Sequence, residues 1–172
     1  MYLNTIIMTK VLKTTLLVAL VGVFSATAQN DLPDVSVTDI NGKKVNISDY
    51  GRNGKITVLN FWATWCSPCK KELANINDMY GEWQEKYNAE LLAISIDDTR
   101  NLAKVKSYVA GQSWDYEVLI DANQDLKRAL NFQTIPHTVV LDRDGKIVYK
   151  HTGYTEGDEY ELEEKIKALA GK

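Results

Sequence analysis

Cys66 and Cys69 are the two cysteines of a 172-residue chain, and they stand three apart in Trp65-Cys66-Ser67-Pro68-Cys69. On a helix that spacing puts both sulfurs on one face, one turn apart. A two-step dithiol exchange needs this separation, because one sulfur attacks and the other resolves the mixed disulfide. Pro68 suits the first helical turn, where a missing N–H costs nothing. The unpaired N–H groups and the macrodipole of that turn stabilise an anion, so Cys66 is expected as the exposed sulfur with a lowered pKa and Cys69 as the shielded partner. Haem attachment would need His directly after the second cysteine, where Lys70 stands. Zinc would need two more ligands, and the only histidines, His137 and His151, lie fourteen apart in a pattern unlike known fingers, so no metal site is expected. A structural disulfide is the plain alternative.

The elements around the pair read clearly. Ile56 to Trp62 (ITVLNFW) is a near-continuous apolar run, as expected for a strand covered on both faces in the middle of a sheet. Cys66 follows directly and opens a helix whose Leu73, Ile76, Tyr80, Trp83 and Tyr87 form one apolar stripe. Alternation continues through a strand at Leu91 to Ile96, a helix around Leu102 to Ala110, a strand around Tyr116 to Ile120 and a short helix around Gln124 to Leu130. Strands alternating with helices predict parallel pairing and an α/β layered domain. Thr138 to Leu141 and Lys146 to Tyr149 then flank Asp142-Arg143-Asp144-Gly145, an antiparallel hairpin, and a last helix spans about Asp158 to Leu169. Ahead of all this, Val35, Val37, Val45 and Ile47 alternate on both sides of Asn41-Gly42, predicting a two-stranded flap before the main body.

Lys10 and Lys13, the apolar run Leu16 to Phe24 and the small residues Ala26-Thr27-Ala28 read as a secretory signal over residues 1–28, cleaved after Ala28; the run is too short for a membrane span. No repeat or linker interrupts residues 29–172, which are expected as one domain. Removing the leader leaves 18 Lys+Arg against 23 acids, a net charge of −5, which argues against nucleic acid or an anionic membrane as partner. About 144 residues can bury a core without disulfide staples. A chain working where disulfides persist thus has its two cysteines free for chemistry.

The stretch Leu59 to Glu72, LNFWATWCSPCKKE, resembles the thioredoxin superfamily, and more narrowly its extracytoplasmic TlpA-like and ResA-like branch. The resemblance extends over the chain after the leader, including the first hairpin and Ile135-Pro136-His137-Thr138. It implies a thioredoxin-like α/β fold, a central mixed sheet flanked by helices with an N-terminal β-hairpin extension, and it calls for no cofactor. It further implies Cys66 as nucleophile, Cys69 as resolving thiol, and Pro136 as a cis-proline facing the dithiol, which leaves the Ile135 backbone to pair with an extended substrate. Two positions depart from the family. Asn60 stands where thioredoxins carry a buried Asp that accepts the proton of the second thiol. Glu72, three residues after Cys69, is the candidate replacement, since similar ResA-like chains carry an acid there; a solvated charge near a helix N-terminus is the equal alternative. The proline that often kinks this helix is absent from Leu73-Ala74-Asn75.

Trp65 is expected exposed beside Cys66 as a substrate-contacting surface and Trp62 in the core. His137 is read as the start of a strand, and Asp97, Asp98 and Asp121 as loop acids and helix caps. The expected activity is thiol–disulfide exchange on protein disulfides. The direction is that of a periplasmic reductant, kept reduced by a membrane electron donor and serving cytochrome c maturation or redox homeostasis. The rivals are a DsbA-like disulfide donor, a peroxiredoxin-like peroxidase and a redox-inactive partner-binding module.

Overall fold

The computed structural model describes residues 31–171, so the leader expected over 1–28 lies outside the described residues. The chain first forms β1 (Ser36–Asp39), β2 (Lys44–Asn46) and a 3-10 helix, Ile47–Arg52. Next come β3 (Ile56–Trp62), α1 (Ser67–Tyr87), β4 (Ala89–Ser95), a 3-10 turn at Thr99–Asn101 and α2 (Leu102–Ala110). The last elements are β5 (Glu117–Ile120), α3 (Asp125–Ala129), β6 (His137–Leu141), β7 (Ile147–Thr152) and α4 (Asp158–Ala170). Seven strands form one mixed sheet in the order β2-β1-β5-β4-β3-β6-β7. β3, β4 and β5 are parallel neighbours, while β6 runs antiparallel to β3 and the edge strand β7 antiparallel to β6.

The leading hairpin forms with Val37 opposite Val45, and Gly42 supplies the positive φ of its turn. It is not a separate flap, however. Thr38 and Asp39 of β1 pair with Ile120 and Leu119 of β5, so the hairpin covers what would be an open sheet edge.

All seven residues of β3 are buried, which is why its sequence is a continuous apolar run rather than an alternating one. The α1 stripe packs on this sheet through Leu73, Ile76, Tyr80 and Trp83. The helix runs unbroken through Leu73-Ala74-Asn75. Asn75 donates from Nδ2 to Tyr154 Oη at 2.6 Å and Glu159 Oε1 at 3.2 Å, tying α1 to the start of α4. Asn88 ends α1 in the left-handed conformation. α4 buries Leu162 and Ile166 and carries the Glu163–Lys167 ion pair at 3.3 Å.

At the end of the sheet where β3 begins, the β6–β7 turn meets the 3-10 helix. Gly145 has φ +78°, and a Cβ there would collide with the Gly51 carbonyl, so two backbones touch where a side chain has no room. Asp31 bridges to Lys146 at the same end through both backbone and side chain.

Candidate active site

β3 leaves the sheet at Trp62, whose carbonyl accepts Ile96 N–H at 2.9 Å, and the chain then turns over Ala63 to Cys66, closed by Cys66 N–H donating to Ala63 O at 3.0 Å. Thr64 and Trp65 occupy the middle of the turn, and Trp65 is 63% exposed, as expected of a contact surface. Cys66 is the N-cap of α1, and its Sγ accepts Cys69 N–H at 3.3 Å. Sulfur therefore holds the place where an oxygen usually caps a helix, at the positive end of the dipole. The two cysteines form a disulfide with Cα atoms 5.4 Å apart. Cys66 retains 6% exposure and Cys69 none. With the disulfide formed, Cys66 is less exposed than the sequence predicts.

Glu72 is 3% exposed, which removes the reading as a solvated charge. One turn after Cys69, its side chain meets β6, where Thr138 Oγ1 donates to Glu72 Oε1 at 3.3 Å and itself accepts Asn60 Nδ2 at 3.0 Å. Burial pushes the Glu72 carboxyl up to about 7, against the opposing pull of the Asn60 and Thr138 donors. Asn60 thus sits in the same network as the acid. Thr138 is a site residue that sequence reasoning missed; its link to Asn60 follows from their direct pairing across β3 and β6.

The Ile135–Pro136 peptide is cis. Pro136 is buried and Ile135 half-buried, immediately ahead of β6. Since His137 pairs with Phe61 near the end of β3, this segment lies at the same end of the sheet as the dithiol. His137 starts the strand, with Nδ1 2.7 Å from Thr152 Oγ1 and its ring stacked on Phe132 at 4.1 Å. Burial, then the nearby Lys150 and His151, lower it to about 4, so it is neutral at pH 7.

Asp98 caps the 3-10 turn through Arg100 N–H, and Asp121 accepts Leu126 and Lys127 N–H at the start of α3, both as expected. Asp97 differs. It caps no helix but is buried against Thr64 of the turn that carries Cys66. Sequence spacing holds no signal for that contact, because 33 positions separate the two residues.

Residues 28–150 match the model of the AhpC/TSA family. The chain belongs to that family. A thiol-disulfide oxidoreductase ResA of Bacillus thuringiensis subsp. konkukian is 34% identical over 139 residues, 81% of this chain and 76% of the relative. Among solved structures, a thioredoxin-like protein from Porphyromonas gingivalis is 45% identical with a TM-score of 0.74, over 83% of this chain and 93% of that one. A structure described as a thiol:disulfide interchange protein DsbE, from Chlorobium tepidum, is 25% identical with a TM-score of 0.73, over 83% and 96%. This AhpC/TSA member is a thiol-disulfide oxidoreductase of the ResA/DsbE type, with a thioredoxin-like fold and Cys66 and Cys69 as its cysteine pair.

Proposed function

We propose that the protein reduces disulfides of other proteins outside the cytoplasm, with Cys66 as nucleophile, Cys69 as resolving thiol and Glu72 as the proton acceptor for Cys69. The observation that carries this reading is the buried carboxyl of Glu72 one turn from a fully buried Cys69, with Cys66 alone keeping exposure. In the reductive direction the Cys66 thiolate attacks a substrate disulfide, forming a mixed disulfide and releasing one substrate thiolate. Cys69 must then lose its proton to attack in turn. Glu72, titrating about 7, takes that proton, the Cys66–Cys69 bond forms, and the second substrate sulfur leaves with both electrons. Trp65, Ile135 and Pro136 offer the apolar rim and the free backbone against which an extended substrate segment lies.

The leader over residues 1–28 supports an extracytoplasmic, periplasmic location, and resemblance to the TlpA-like branch supports a membrane electron donor and service to cytochrome c maturation or redox homeostasis. The deciding measurement is the reduction potential of the Cys66–Cys69 couple, equilibrated against glutathione or dithiothreitol. A value near thioredoxin's, about −270 mV, is expected, whereas one near about −120 mV would make the protein a DsbA-like disulfide donor. Insulin reduction that disappears in Cys66→Ser is expected alongside it. Rapid peroxide consumption with a sulfenate at Cys66 would instead favour a peroxidase.

A further inference from the structure

A buried carboxylate under the cysteine turn has no part in the exchange described above. Asp97 is 2% exposed, and its partners Thr64 and Ser95 are also buried. Asp97 Oδ2 accepts Thr64 N–H at 2.8 Å and the Ser95 hydroxyl at 2.9 Å, while Oδ1 accepts the Thr64 hydroxyl at 2.8 Å. Three donors converging on one carboxylate compensate for its removal from water. The backbone N–H and the hydroxyl of Thr64 bind the same acid, so the turn is fastened to it at two points. The acid is itself rooted in the sheet. Ile96 donates to Trp62 O and accepts from Gln124 Nε2 at 3.3 Å, and Ser95 O accepts Asp121 N–H at 2.8 Å. The clamp thus ties the turn to β3, β4 and the segment after β5.

We infer that Thr64 and Asp97 are positioning residues for the dithiol: they hold the Ala63-to-Cys66 turn so that the Cys66 sulfur stays at the N-cap of α1, facing Cys69 N–H. The inference rests on the disulfide-exchange reading with Cys66 as nucleophile. A thiolate at that place receives the hydrogen bond and the dipole that favour it, and a turn released from Asp97 lets the sulfur move away from both.

The test uses the reduced protein and follows alkylation of Cys66 by iodoacetamide against pH. Thr64→Val keeps the side-chain volume and removes one donor; Thr64→Ser keeps the donor. Thr64→Val is expected to raise the midpoint of the alkylation profile and to slow alkylation below that midpoint by about fivefold, while Thr64→Ser follows the wild type. Ser95→Ala, which removes a donor from outside the turn, is expected to shift the profile in the same direction by less. A Thr64→Val profile that overlays the wild type, whatever happens to its melting temperature, overturns the inference; if that variant does not fold, an unshifted Ser95→Ala profile does so. Insulin turnover of the wild type separates the two readings. Absent turnover with a shifted Thr64→Val profile counts against the exchange function alone, and normal turnover with an unshifted profile counts against the clamp alone.

Discussion

In the proposed mechanism Glu72 accepts the proton of Cys69 during resolution, so replacing the acid should separate two steps that are otherwise fused. Glu72→Gln keeps the shape and the Thr138 bond but cannot accept a proton. The first attack by Cys66 should proceed unchanged, while resolution by Cys69 slows by about a hundredfold and loses its dependence on a group titrating near 7. Quenched-flow trapping of the mixed disulfide measures this directly, and equal lifetimes in wild type and variant would remove Glu72 from the mechanism. An acid three residues after Cys69 was legible in the chain as a candidate. Its burial was not, because the first turns of a helix look alike whether such a side chain meets solvent or a strand. Its partner Thr138 lies 66 positions away, beside Asn60 in the β3–β6 register, and local sequence carries no trace of that meeting. Asp97 was legible as a loop acid, but its burial against Thr64 was not, because 33 positions separate the two residues.

The elements follow the chain closely wherever one local rule dominates. The run Ile56 to Trp62 reads as a buried central strand, and the stripe from Leu73 to Trp83 as one helix face, because burial alone sets each pattern. The hairpin at β1 and β2 was legible as a hairpin, since Gly42 and alternating valines are local signals. Its pairing with β5 was not, because about eighty positions separate Thr38 from Ile120 and neither side chain encodes the backbone bonds that join them. This pairing makes β1 an interior strand, and an interior strand does not tolerate proline. Thr38→Pro should therefore lower stability by about 3 kcal/mol, read as a shift in urea midpoint. An unchanged midpoint would show that β1 contributes nothing to the sheet.

At the scale of the molecule, the buried groups Glu72 and His137 oppose each other. Glu72 is raised from 4.5 to about 7, so its contribution to stability is present below about pH 4.5 and is lost as pH rises through 7. His137 is lowered from 6.5 to about 4, so its contribution is present above pH 6.5 and is lost as pH falls through 4. Each shift corresponds to about 3 kcal/mol. Between pH 4.5 and 6.5 the slopes cancel, and urea unfolding of the oxidised protein should give a plateau there with a decline on either side. Glu72→Gln should abolish the decline on the alkaline side and leave the acid one; an alkaline decline that survives the substitution would contradict the assignment. The backbone contact of Gly145 with Gly51 and the bridge from Asp31 to Lys146 lie where β3 begins, and the dithiol lies where it ends. Polypeptide leading into Asp31 therefore joins the molecule at the pole opposite its reactive sulfurs. A tether, label or carrier fused ahead of Asp31 would hold the protein by its back, leaving the end that carries Cys66 and the exposed Trp65 clear of the point of attachment.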